Sequence, residues 1–182
     1  MPSQIAETAL VVCAAFAAAG PTLPGISAQF DPLESTRFAV AEACLPAVRD
    51  ARPGAEPLKR LVRLPKSAYP GQVAYWIGAG VTINTDGQGC TVRAERGPAD
   101  RLRQVVLDGV AGGGGKLVVV MDSGADGRDG VGLLRQEFYC LTLDHQAVAL
   151  LISSSPERNR VPLQATLLPA TDGPCAAAHP AN

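Results

Sequence analysis

No Cys-x-x-Cys pair occurs among the five cysteines of this 182-residue sequence, and its only histidines are His145 and His179. A zinc ribbon or thioredoxin-like centre needs cysteines at that spacing, and a histidine metal face needs two imidazoles about one helical turn apart. Neither pattern is present, so no metal and no cofactor are expected. There is no dominant basic block either, and the formal charge is −1. Binding to nucleic acid through counterion release is therefore not expected. The apolar run "TALVVCAAFAAA" at residues 8–19 falls short of the roughly 20 residues that span a bilayer. No integral membrane segment is expected in the mature chain.

The sequence does contain enough apolar residues for a core. Hydrophobic types make up 47% of it, which at this length fits one compact domain. The run at 8–19 has the size of the apolar region of a secretory signal. Small residues at Ala17-Ala18-Ala19 and at Ile26-Ser27-Ala28 offer two cleavage points, although the segment "MPSQIAE" lacks Lys and Arg and carries Glu7. The alternative is an alanine-rich helix packed on the domain. Cleavage would remove Cys13 and leave Cys44, Cys90, Cys140 and Cys175. Four cysteines suit two disulfides in an oxidising compartment, with three connectivities open. The expected location is periplasmic or secreted, with a cytoplasmic protein carrying buried free thiols as the alternative. The organisation read from these features is a leader or N-terminal helix at 1–28, an α+β domain at 29–168 and an irregular tail at 169–182.

Asp31-Pro32-Leu33-Glu34 has the spacing of a capped helix start. Phe38, Ala41, Leu45 and Val48 then give a buried face, and Pro46 should kink or end the helix. Leu58, Leu61 and Val62 suggest a short second helix with Lys59, Arg60 and Arg63 on its solvent side. Strands are predicted near 72–77, 80–84 and 90–96, with Gly78 and Gly80 as a bulge or tight bend and Asp86-Gly87 as hairpin chemistry. Pro98 opens another helix with Leu102, Val105, Val106 and Val110 as its stripe. Strands at 116–121, 138–143, 147–153 and 162–168 follow, the middle two closed around Asp144-His145-Gln146. The order α-α-β-β-β-α-β-β-β-β points to α+β, a mainly antiparallel sheet with helices packed on one face. Both halves read as helix followed by strands, without a residue-level repeat.

Attractive motifs fail on inspection. "AGGGGK" at 111–116 lacks the first glycine and the Ser or Thr of a phosphate-binding loop, and it joins a helix to a strand in the inverse order. It reads as a glycine helix stop. "LVVVMDSGADG" resembles the active-site signature of retroviral-type aspartic proteases, and that resemblance implies Asp122 as the catalytic carboxylate, with Ser123 and Gly124 shaping its turn. The likeness covers about ten residues; only 60 follow Asp122, and "ALLISSSP" lacks the later glycine element. Asp122, Asp126 and Asp129 are oxygen donors in a glycine-rich loop, but the ligand count of a calcium loop is not met. His145 is the one candidate base for a serine nucleophile, and Ser153, Ser154 and Ser155 lack a nucleophile elbow. Tyr69, Tyr75 and Trp76 cluster in a chain poor in aromatics, and strand alternation is expected to turn Trp76 inward and Tyr75 outward.

By elimination the expected function is non-catalytic binding of an unknown protein or small molecule. The expected surface combines Tyr75 and Trp76 with the 122–130 loop and its Asp126 and Asp129. The alternative is a hydrolase using Asp122, with His145 as a possible partner.

Overall fold

A computed structural model describes residues 31–50, 56–67, 70–86, 88–122, 134–158, 160–171 and 174–175. The leader region, Cys13, Tyr69, the loop residues Asp126 and Asp129, and His179 lie outside the described residues.

Asp31 caps the first helix as its spacing predicts: its Oδ1 accepts from the Glu34 N–H at 2.8 Å. Helix α1 (Pro32–Phe38) runs through a π-helical turn (Ala39–Cys44) into α2 (Leu45–Arg49). Pro46 was expected to kink or end this helix. The helix continues because the turn before it is wider, with the Leu45 N–H donating to the Val40 carbonyl five residues back. A widened turn relieves the clash between a proline ring and the carbonyl four residues earlier. Helix α3 (Glu56–Lys59) is a single turn. Val62, expected in that helix, instead lies with Arg63 in a two-residue strand, β1 (Val62–Arg63), drawn out by pairing with the next strand.

Strands β2 (Val73–Gly78), β3 (Val81–Thr85) and β4 (Cys90–Ala94) form an antiparallel meander with β1. After α4 (Ala99–Gly112), strands β5 (Val118–Asp122), β6 (Arg135–Leu143), β7 (Gln146–Ser154) and β8 (Leu163–Pro169) form a second one. The sheet order is β1-β2-β3-β4-β8-β7-β6-β5, antiparallel throughout, so the halves join where β8 pairs with β4. This is the expected α+β architecture with one further strand.

Register assigns the faces. One row crosses the whole sheet as Arg63, Tyr75, Ile83, Val92, Ala165, Ile152, Glu137 and Asp122. Ile83, Val92, Ala165 and Ile152 are buried in the core with Val40, Val48, Leu102 and Val106 of the helices. That row therefore faces the helices. The next row, through Trp76, Thr82, Arg93, Gln164, Ser153 and Gln136, lies on the opposite, open face.

Two disulfides, one on each face, fasten the sheet. Cys44 of the π-helical turn joins Cys90 of β4 with Cα atoms 5.4 Å apart. Cys140 of β6 joins Cys175 at 5.1 Å and ties the segment after β8 to the open face. Two bonded pairs are compatible with an oxidising, extracellular environment.

The glycine run stops α4. Gly114 takes the left-handed conformation with φ 85°. Its N–H donates to the Ala111 carbonyl, and the Gly115 N–H donates to that of Val110, both at 3.1 Å. These two bonds form a Schellman stop and satisfy carbonyls that the helix end would leave open. Gly113 serves packing: a Cβ there would lie 2.7 Å from Leu45 Cδ1.

Candidate functional site

The aromatic pair sits the other way round from the alternation read in the sequence. A bulge between Trp76 and Gly78 inserts one residue into β2, which sets Tyr75 opposite Ile83 and Trp76 opposite Thr82. Without that extra residue, counting back from the Ala79-Gly80 turn would put Trp76 opposite Ile83. A one-residue shift exchanges the faces of every preceding side chain. Tyr75 packs against the core, and Trp76 lies half-buried on the open face beside the exposed Val62.

Tyr75 and Asp122 stand at opposite parts of the same cross-sheet row, six strand spacings apart. At about 4.8 Å per spacing this is roughly 29 Å. The aromatic strand and the start of the 122–130 loop therefore do not form one continuous patch. His145 is exposed in the Asp144-His145 turn of the β6–β7 hairpin, where both residues have positive φ, 45° and 73°. Asp122 pairs with Glu137, six residues along β6 from the hairpin end at Leu143, which separates it from His145 by roughly 20 Å. The structure does not bring these two together. Ser153 lies on the open face, while Ser154 and Ser155 are buried.

Asp122 does meet charged groups. Arg135 Nη2 lies 2.6 Å from Asp122 Oδ2 and 3.2 Å from Glu137 Oε1, so one guanidinium bridges both carboxylates. Arg103 of α4 donates to both oxygens of Glu137 in a forked pair, and the Tyr139 hydroxyl donates to Glu137 Oε1 at 2.7 Å. The Glu137 side chain is fully buried. Burial pushes its carboxyl up, but Arg103, the Tyr139 hydroxyl and Arg135 outweigh this and hold it below the usual carboxylate range. Burial, with Glu137 next to it, pushes the Tyr139 hydroxyl up. A shared-proton dyad needs its carboxylates in direct contact; here a guanidinium lies between them.

This network was overlooked in the sequence, though periodicity carries a signal for it. Arg103 falls on the α4 stripe, four residues after Ala99 and three before Val106. Glu137 shares strand parity with Tyr139, Leu141 and Leu143, so alternation along this strand puts its carboxylate on the buried face.

The other unusual feature is apolar. Every residue of β5 is exposed, with Val118, Val119, Val120 and Met121 at 44%, 60%, 46% and 52%. Next to it on the open face is a shallow hollow of about 310 Å³, whose lining includes Val120, Met121, Phe138 and Leu151. A second hollow, about 390 Å³, opens at the start of α4 between Arg96, Asp100, Glu157, Arg158 and Arg160 and has mixed charge. Among the described residues no group of three or more His, Cys, Asp or Glu could hold a metal ion, and no helix is long and apolar enough to cross a membrane. Comparison of the chain with protein-family models, with curated proteins and with solved structures finds no match.

Proposed function

We propose that this protein is an exported, periplasmic or secreted, non-catalytic interaction protein whose contact surface is the apolar β5 edge and the open-face hollow beside it. One observation carries the reading: four consecutive large apolar side chains are each about half exposed on an edge strand. Sheet edges are ordinarily shortened, charged or covered, because unpaired N–H and C=O groups invite another strand. Large exposed apolar patches mark contact sites. Export draws support from the two disulfides and the apolar leader-like run. The hydrolase reading of Asp122 has less behind it, since Arg135 occupies the side from which a second carboxylate would act.

The test uses 1-anilinonaphthalene-8-sulfonate as an apolar probe of the native chain. The expected result is enhanced emission that Leu151→Glu and Met121→Glu reduce several-fold, while Val62→Glu at the other edge leaves it unchanged. Emission equal in all four proteins would place the apolar contact elsewhere. Hydrolysis of an unbiased peptide mixture that Asp122→Asn abolishes would favour the enzyme instead.

A further inference from the structure

The sequence has two methionines, Met1 and Met121, and the second sits within the apolar surface. A backbone irregularity sets its placement. A bulge between Val119 and Met121 leaves Val119 opposite Tyr139 but puts Met121 opposite Phe138 and Asp122 opposite Glu137. In an unbroken ladder Val120 would oppose Phe138, and Met121 would oppose Glu137 on the helix side. The extra residue turns Met121 to the open face instead, in one row with Phe138 and Leu151. Bulges re-aim side chains in this way at the expense of regular pairing. Met121 is 52% exposed and lines the open-face hollow together with Phe138 and Leu151. The other apolar side chains of this surface are hydrocarbon, and Cys140 on the same face of β6 is already bonded to Cys175. The Met121 thioether is therefore the group of this surface with a lone pair open to two-electron oxidants.

We propose that Met121 is an oxidation site, with hydrogen peroxide as the oxidant, at which sulfoxide formation turns off the apolar contact surface. This rests on the surface reading above and names how that surface is regulated. The thioether sulfur attacks one peroxide oxygen, so that an S–O bond forms and the O–O bond breaks. Sulfur is oxidised by two electrons, and the other oxygen takes up the proton and leaves as water. The product carries a polar sulfoxide on a side chain that was apolar. At the lip of the hollow the new acceptor must stay hydrated, so an apolar group that covers it buries an unpaired polar atom. Leucine at this position would supply similar apolar volume without that response. Because the sulfoxide stands at the surface, it is also open to the reductases that reverse it.

The test treats the full chain with hydrogen peroxide in the presence of N-acetylmethioninamide as a rate reference. Peptide mass mapping follows Met121, and 1-anilinonaphthalene-8-sulfonate emission is read on the same samples. Met121 should oxidise within about threefold of the reference rate, and emission should fall by about twofold or more in step with the sulfoxide fraction. Met121→Leu should show native emission before peroxide and keep it afterwards. Met1 and Cys13 are exposed to the same oxidant in both proteins, so the difference isolates Met121. Circular dichroism should not change; unfolding in step with the sulfoxide would overturn a surface role. Oxidation more than about tenfold slower than the reference overturns the proposal. So does complete oxidation that leaves emission unchanged, or an equal loss in Met121→Leu. In each of these cases, native emission that Leu151→Glu suppresses leaves the surface reading standing. Emission indifferent to Leu151→Glu in untreated protein is the failure of that reading itself.

Discussion

The half of the molecule from α1 to β4 and the half from α4 to β8 run through the same succession, helices and then a four-strand meander, yet they fasten helix to sheet by different means. In the first half the joint is covalent and close-packed. Cys44 is bonded to Cys90, and Ser35 of α1 lies within ordinary van der Waals reach of Gly78 of β2. In the second half it is ionic, the fork of Arg103 on the buried Glu137. The outer strands differ in the same sense: β1 is short and charged, β5 long and apolar. A covalent joint resists acid and salt, whereas an ionic one depends on protonation. The two halves should therefore respond to different perturbations.

The largest expected effect comes from breaking the covalent joint. Replacing Cys44 and Cys90 by alanine releases a constraint across a separation of 46 residues and should lower unfolding free energy by about 4 kcal/mol, measured by denaturant titration. Arg103→Met breaks the ionic joint and leaves Glu137 buried with reduced compensation. A loss of about 3 kcal/mol is expected, and a change below about 0.5 kcal/mol would show that Arg135 and Tyr139 suffice.

The ionic joint should also give the second half an acid sensitivity. Folding lowers the pKa of Glu137, so its stabilisation is complete above the unfolded carboxyl value of about 4.3 and fades as pH falls through the lower folded value. Midpoints of urea unfolding should drop more steeply below about pH 4 in the native sequence than in Glu137→Gln. Parallel curves would mean that Glu137 is not the group responsible. The smallest effect belongs to Ser35, whose buried oxygen finds no hydrogen-bond partner among the described residues. Ser35→Ala should be neutral or stabilising by up to about 1 kcal/mol, and a loss of 2 kcal/mol would imply a bound water there.

Most elements were legible in the sequence because their signals are local. Asp31 and Pro32 announce a helix start through chemistry contained in one turn, and the glycines after Val110 announce a stop in the same way. Elements that depend on a distant partner were not legible. Val62 and Arg63 become a strand only because Trp76 and Tyr75 lie beside them. The facing of Trp76 turns on a single bulged residue, which no alternation count contains. The four cysteines implied two bridges, but their pairing follows from which strand lies beneath the π-helical turn. The candidate site was missed for a related reason. A strand rich in valine reads as core, and only its position at the rim of the sheet turns it into surface.

The seam between β4 and β8 also bears on how the chain is made. Every other strand pairing joins neighbours along the chain, while Cys90–Ala94 must wait for Leu163–Pro169. Such late, long-range closure is costly in loop entropy and slow. During synthesis the first meander can assemble while the second is still emerging. Until residue 169 arrives, β4 itself is an open rim, a temporary edge in the nascent chain that closes when the last strand is delivered.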